Sequence, residues 1–279
     1  MIRDLNGRVA VVTGAASGIG RALVEGFQTA GCRVVLADVD SDALDTAVKE
    51  CHGHPTPVLG VRCDVRSDPD VRSLRDATLA AFGPADVVCL NAGVSPSGPV
   101  LATTEATWRW LLEVNLLGVT HGLAAFGPDL LSRGEGHIVI TASVTGLVPT
   151  PSLGPYSAVK HAVVALAEVL RRELEGSGVG VSVLCPGVVR TRIHESERNR
   201  PADLEGPTHT DRLLAERYRE AVEASTVTAG MVGAAALAAI RRDQFMVFSD
   251  PDGPAMIESR ADELRAMARD AGIQDWSPR

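Results

Sequence analysis

The sequence has no block of lysines and arginines, no two cysteines at CxxC spacing, and no Cys/His cluster with the spacing of metal ligands. Each absence removes a class of function. A formal charge of −8 over 279 residues, with the basic residues dispersed, leaves no electrostatic footprint for a phosphate backbone, so nucleic acid is not the expected partner. Cys32, Cys51, Cys63, Cys89 and Cys185 stand singly, most of them in or beside apolar runs, and read as reduced core residues. His52 and His54 come with no HExxH motif, so they read as a surface loop and no metal is expected. The start MIRDLNGRVAVV lacks a basic n-region, a long apolar h-region and a small-residue cleavage site, which points to the cytoplasm. The uncharged run 138–159 is long enough to cross a bilayer, but its prolines and hydroxyl residues do not suit a lipid-facing helix, and no membrane span is expected. It reads instead as the dry wall of a site.

What is present is a series of short apolar runs, 9–12, 34–36, 87–90, 138–140 and 181–184, alternating with longer helical stretches and followed by a last strand at 245–248. Strands with little in–out alternation are buried on both faces, so the pattern predicts a doubly wound α/β fold with a parallel sheet between helix layers. Ligands in such sheets bind beyond the carboxyl ends of the strands, where Gly14, Asp38, Asp64, Asn91 and Ser143 all fall. The first strand runs into a glycine-rich turn, VAVVTGAASGIGRAL, and then a helix. Such a turn lets backbone approach a pyrophosphate, which the helix N-terminus then holds. Its glycines, Gly14, Gly18 and Gly20, depart from the GxGxxG spacing, yet Asp38 follows Gly20 by eighteen residues, where a carboxylate reaches a ribose diol.

Tyr156 and Lys160 lie four residues apart in PYSAVK, with Ser143 thirteen residues upstream, and Tyr156 is one of only two tyrosines. The spacing places phenol and ammonium on one helix face, where Lys⁺ is expected to stabilise the phenolate and lower the Tyr156 pKa. Together these residues define a candidate proton-transfer site.

The ordered set Thr13-Gly14-Ala15-Ala16-Ser17-Gly18-Ile19-Gly20, Asp64-Val65, Asn91-Ala92-Gly93, Asn115, Ser143, Tyr156, Lys160 and Pro186-Gly187 resembles the short-chain dehydrogenase/reductase family over roughly residues 7 to 250, with its TGxxxGxG and YxxxK motifs. The resemblance implies a Rossmann-like, mostly parallel seven-stranded sheet and an NAD(P)-dependent enzyme acting on CH–OH groups. It also implies a tetrad: Tyr156 as general acid/base, Ser143 holding the reacting oxygen, Lys160 on the nicotinamide ribose, and Asn115 holding a water on the proton path. The cofactor is expected along Gly14, Ser17, Gly18, Ile19, Gly20, Asp38, Asp64, Val65, Asn91, Ala92 and Gly93, with Tyr156 and Lys160. Pro186, Gly187, Val188, Val189 and Thr191 are expected at its carboxamide end. One departure is Leu90, where the family's NNAG segment has its first Asn, and a small packing change is expected there. The family also implies a dimer or tetramer packed through the helices near 105–126 and 157–175, the second of which is apolar around its circumference.

Asp38 favours two ribose hydroxyls over a 2′-phosphate, which it would repel by about 4 kcal/mol at roughly 4 Å in an effective dielectric near 20, so NAD is preferred to NADP. Arg21 and Arg33 are the cations that could oppose this preference. Residues 1–250 read as one domain, with a polar, proline-broken segment at about 190–225 as a substrate lid. Residues 251–279 read as a C-terminal helical extension, packed on the pocket mouth or on a neighbouring subunit. The candidate pocket wall, 94–100 with 144–154 and Ile193, is mostly apolar and small. A neutral hydrophobic secondary alcohol or ketone fits it best, alicyclic, terpenoid or steroid-like. The alternatives are an NADPH-dependent carbonyl reductase and a catalytically silent NAD-binding regulatory protein.

Overall fold

A computed structural model describes residues 2–202, 204, 206 and 209–271. Its centre is a seven-stranded, all-parallel sheet. In chain order the regular elements are β1 (Val9–Thr13), α1 (Gly18–Thr29), β2 (Arg33–Asp38), α2 (Ser41–Cys51), β3 (Val58–Arg62), α3 (Asp68–Phe82), β4 (Val87–Leu90), α4 (Glu105–Leu112) and α5 (Gly118–Arg133). They continue as β5 (Gly136–Thr141), α6 (Gly154–Glu173), β6 (Val179–Cys185), α7 (His209–Ala224), α8 (Ala229–Arg242), β7 (Met246–Phe248) and α9 (Gly253–Asp270). The strand order is β3-β2-β1-β4-β5-β6-β7. The chain therefore moves outward from β1 in one direction, returns, and moves outward from β4 in the other. The crevice of such a sheet opens between β1 and β4, beyond their carboxyl ends.

Every residue of β1, β4, β5 and β6 is buried, as their uninterrupted apolar sequences require. The strand period of two divides the interior into two cores: Val11 and Val35 face α3 to α6, whereas Ala10, Val12, Val34 and Leu36 face α1, α2 and α8. Edge strand β3 is not among the apolar runs read from the sequence. Its residues VLGVR are half-exposed, and Gly60 keeps the sheet clear of α2, where an added Cβ would stand 2.8 Å from Val48. Leu90 is buried, and its side chain fills the space left by Gly122 of α5, where a Cβ would lie 2.2 Å from a Leu90 methyl.

The helix along 157–175 is less enclosed than its composition suggests. Within α6, Val163, Val164 and Ala167 are buried, but Ala158, Ala165 and Val169 are exposed. Helix α9 forms at the expected place, yet only Gly253 of it is buried and none of its residues lines the cleft described below. The pocket-mouth placement expected for it is thus not seen among the described residues. No helix among those residues is long and apolar enough to cross a membrane. His52 and His54 are exposed, and no group of potential metal ligands occurs among the described residues.

All five cysteines are free and buried. Burial pushes the Cys32, Cys63 and Cys185 thiols up to about 12, and Cys89 in the same direction. A thiol that ionises near 8.5 when unfolded but higher when folded contributes stability that is fully present below pH 8.5 and lost as the pH rises through the folded value. Buried Lys160, pushed down to about 8, has the opposite sign but is one group against four. The melting temperature is therefore expected to fall steeply between about pH 8.5 and 10.5, each thiol removing about 1 kcal/mol per pH unit. A flat thermal-melt series over that range would contradict this account.

Candidate active site

The helix ends show where an anion is invited. Asp40, Ser67, Thr104 and Thr228 each cap a helix by accepting from a backbone N–H three residues on, at 3.1 to 3.3 Å. Ser17, at the start of α1, has the extended backbone of a cap but makes no such bond, and the first turn carries no acidic residue. The first-turn N–H groups are left for a ligand, in the way a pyrophosphate is held. Gly14, at φ +64°, brings the turn against β4, where a Cβ would stand 2.9 Å from the Ala92 Cα. Thr191 stands over Gly18, its Cβ 3.3 Å from where a Gly18 Cβ would be. Gly20 does not line the cleft. Its lack of a Cβ lets the Gly14 carbonyl oxygen pack 2.0 Å from that position, which makes it a packing glycine beneath the turn.

One cleft collects nearly all the expected residues: Gly14, Ser17, Gly18, Ile19, Asp38, Asp64, Val65, Asn91, Ala92, Gly93, Ser143, Tyr156, Lys160, Pro186, Gly187, Val189 and Thr191 all line it. Gly20, Val188 and Asn115 do not. Thr13 ties β1 to the cleft floor, its Oγ1 accepting from Asn91 N at 2.9 Å and Ala92 N at 3.1 Å. Asn91 in turn donates Nδ2 to Thr13 O and accepts from Thr141 Oγ1, both at 3.0 Å. At the end of β2, Asp38 accepts from Ala16 N at 3.0 Å and Asp40 N at 3.2 Å. Burial nonetheless raises its pKa above the usual carboxylate value. Asp64 is gripped by Arg66 at 2.6 Å; burial opposes ionisation, but the Arg66 hydrogen bonds and charge hold its pKa below normal. Arg33 is spent on the Phe82 and Gly7 carbonyls, and Arg21 on Glu25, Glu50 and Cys51; neither lines the cleft.

At the inner end, Ser143 Oγ donates to Pro186 O at 3.3 Å, accepts from Thr145 N at 3.2 Å, and lies in hydrogen-bonding reach of Tyr156. Lys160 is buried, donates to Thr141 O at 2.9 Å, and places its Nζ 5.5 Å from the centre of the Tyr156 ring. The expected lowering of the Tyr156 pKa by Lys160 is not what this cofactor-free geometry gives. Burial raises the phenol's pKa, neighbouring Tyr218 adds to the rise, and only Ser143 acts against it. Burial likewise pushes Lys160 down to about 8, so the enclosure of the site disfavours the charged form of both groups. Asn115 sits in a π-helical turn, Glu113–Leu117, where α4 passes into α5. Its side chain accepts from Val94 N at 3.2 Å and donates to Val94 O and Leu111 O at 3.0 and 3.2 Å. The bulge turns Asn115 inward, so that a Cβ on Gly93 would sit between its Oδ1, at 2.8 Å, and the Lys160 Nζ, at 3.7 Å.

The outer wall differs from the one expected. Val94 and Ile193 line the cleft, but residues 95–100 and 144–154 do not; Trp110 of α4 and Tyr218 of α7 take their place. Trp110 reads as an ordinary core residue of an amphipathic helix, and nothing local in EATWRWLL marks it as a pocket residue. Much of the lid is already seated. Ser196 Oγ accepts from Ser95 N at 2.9 Å, and Arg200 stacks 4.6 Å from the centre of the Trp110 ring while pairing with Glu197. Ile193, Ser196, Arg198 and Asn199 wall the cleft, and Tyr218 of α7 adds to it from the later part of the segment expected as a lid.

The model of the short chain dehydrogenase family matches residues 8–202. The structure superposes on a short chain dehydrogenase/reductase from Burkholderia phymatum in complex with NAD, with a TM-score of 0.92 and 38% identity over 95% of this chain and 97% of that one. The 1-deoxy-11-beta-hydroxypentalenate dehydrogenase of Streptomyces exfoliatus is 37% identical over 93% of this chain and 89% of its own length. The C alpha-dehydrogenase of a Sphingobium species is 37% identical over 72% of this chain and 67% of its own. The chain belongs to the short-chain dehydrogenase family, and so to the nicotinamide-dependent oxidoreductases that act on CH–OH groups.

Proposed function

We propose that the protein interconverts a neutral, hydrophobic secondary alcohol and its ketone with NAD as hydride carrier. The observation that carries this reading is the convergence of Ser143, Tyr156 and Lys160 at the inner end of a cleft whose outer end holds Asp38 beside an uncapped helix start. The nicotinamide, when bound, takes or supplies the hydride. The chain's own residues do the rest. Tyr156 takes the hydroxyl proton in oxidation or gives it in reduction, Ser143 holds the reacting oxygen, and Lys160, already turned toward the cleft floor, binds the nicotinamide ribose. Asn115 keeps Val94 and the π-turn in place and continues the proton path. Gly14, Gly18 and the open N–H groups of α1 seat the pyrophosphate, and Pro186, Gly187, Val189 and Thr191 seat the carboxamide end. Val65 borders the adenine site with Asp64.

The lining by Val94, Trp110, Ile193 and Tyr218 supports an alicyclic, terpenoid or steroid-like substrate. The hydroxypentalenate dehydrogenases among the relatives act on a hydroxy carboxylate by name, which supports the alcohol chemistry but not the neutral charge. Initial rates across matched neutral and carboxylated or phosphorylated secondary alcohols test this. The neutral compounds are expected to have the higher kcat/KM, and equal turnover of the anionic ones would overturn the substrate class.

Asp38 is the basis for NAD over NADP, and Arg21 and Arg33, the cations that could oppose that preference, are engaged away from the cleft. Asp38→Ala is expected to raise kcat/KM with NADP by roughly 10-fold or more while lowering it with NAD, from the removal of a repulsion of a few kcal/mol. An unchanged cofactor ratio would place the carboxylate away from the ribose. We further infer a homo-oligomer, dimer or tetramer. Exposed Val169 of α6 and Leu112 and Leu117 beside it on the α4–α5 side offer the face for it. The free, buried cysteines fit work in the reducing cytoplasm.

A further inference from the structure

We propose that Arg198, on the lid, is a cofactor-binding residue whose guanidinium takes the pyrophosphate of the bound dinucleotide, opposite the N-terminus of α1. The inference rests on the dinucleotide reading of the cleft. Three placements carry it. Thr191 stands directly over Gly18, so the chain enters the Ile193–Asn199 segment above the open helix start. Arg198 then reaches back along that segment, its NH1 donating to Arg192 O and Glu195 O, both at 3.0 Å, which fixes the guanidinium one residue from Thr191. Finally, Arg198 lines the cleft itself, together with Arg192 and Asn199, on the side shared with Asp38 and Asp40.

Its neighbours in the segment make the contrast. Arg192 is paired with Glu195 at 2.6 Å, and Arg200 with Glu197 at 2.5 Å. Among the described residues no carboxylate lies within ion-pair distance of Arg198. Asp38 and Asp40 act on it only at longer range, and burial together with the like charge of Arg192 outweighs them, holding its pKa below the ordinary arginine value. A guanidinium has five N–H donors, and the two carbonyls occupy one of its nitrogens. The free edge suits a bidentate bond to phosphate oxygens. A 2′-phosphate is the less suitable occupant, because Asp38 and Asp40 flank that position. The consequence is that the dinucleotide's phosphates are held between a helix N-terminus below and Arg198 above.

Calorimetric binding of adenosine, ADP, NAD and adenosine 2′-monophosphate to the wild-type protein and to Arg198→Gln tests this, with melting curves to verify folding. The expected result is a loss of roughly 10-fold in affinity for both ADP and NAD, no change for adenosine within about twofold, and partial recovery in Arg198→Lys. Equal losses for adenosine and ADP, or no loss for either, would overturn the proposal, as would a loss confined to adenosine 2′-monophosphate. A wild-type protein that binds neither NAD nor ADP would refute the cofactor reading and this assignment with it. Wild-type binding of both, left unchanged in Arg198→Gln, removes Arg198 alone.

Discussion

Tyr156→Phe is expected to bind NAD within about twofold of the wild type and to lose roughly 10³-fold in kcat/KM, the usual contribution of a positioned acid/base group. The substitution removes only the phenolic oxygen, leaving a ring that is already packed between Tyr218 and the hydrophobic core. The pH dependence has a definite sign. Burial raises the phenol's pKa, so near neutral pH the free protein holds Tyr156 protonated, ready to donate. Ketone reduction is then supported at neutral pH and falls as the phenol ionises, whereas alcohol oxidation needs the phenolate and rises toward alkaline pH. Lys160, pushed down to about 8 by burial, is still mostly protonated at neutral pH and loses its charge as the pH rises through that value. Assays in both directions from pH 6 to 10 are expected to show oxidation rising with pH while reduction holds level, because the raised phenol pKa keeps Tyr156 protonated across that range. A variant that keeps turnover, or parallel slopes in the two directions, would remove Tyr156 from the proton-transfer role.

The second large effect is structural. Gly20→Ala is expected to lower stability by about 3 kcal/mol, or roughly 5–10 °C in melting temperature, and to weaken NAD binding at the same time. A Cβ there would lie 2.0 Å from the Gly14 carbonyl oxygen and 2.8 Å from Asn91 Nδ2. The first is backbone of the glycine-rich turn, and the second is a side-chain amide held in place by Thr13 O and Thr141 Oγ1. The chain must shift the turn or expel α1, and either movement disturbs the proposed pyrophosphate seat. Gly53→Ala is the control, because nothing lies within 4 Å of its Cβ position and the residue is exposed; it is expected to change stability by less than about 0.5 kcal/mol. Equal melting temperatures for the two variants would contradict the packing role of Gly20.

Much of this architecture is legible in the chain because its signals are local. Uninterrupted apolar runs mark strands buried on both faces, and β1, β4, β5 and β6 are indeed wholly buried. Edge strand β3 leaves no such run, since half of it faces solvent and Gly60 interrupts it. Ser143, Tyr156 and Lys160 are singled out by their spacing together with the family resemblance, and all three line the cleft. The charge state of Tyr156 and Lys160 is not legible in that way, because burial is a property of the assembled site: α7 brings Tyr218 over Tyr156 from more than sixty residues away. Trp110 and Arg198 are hidden for the same reason. Each sits in a helical segment whose local pattern gives a bland role, core packing for one and surface charge for the other, and only the seating of the lid on α4 brings them to the cleft. Asn115 is visible in VNLLG, but its inward turn depends on a π-bulge that no residue pattern announces.

The central claim, hydride transfer between NAD and a neutral secondary alcohol, is tested most directly by absorbance at the reduced-nicotinamide band. Purified protein is supplied with NAD or NADP separately, over a panel of alicyclic secondary alcohols at mildly alkaline pH. Growth of the band with NAD, faster than with NADP and absent in Tyr156→Phe, is the predicted result. A protein that binds NAD yet forms no reduced cofactor with any alcohol, and consumes none with the matching ketones, would contradict it.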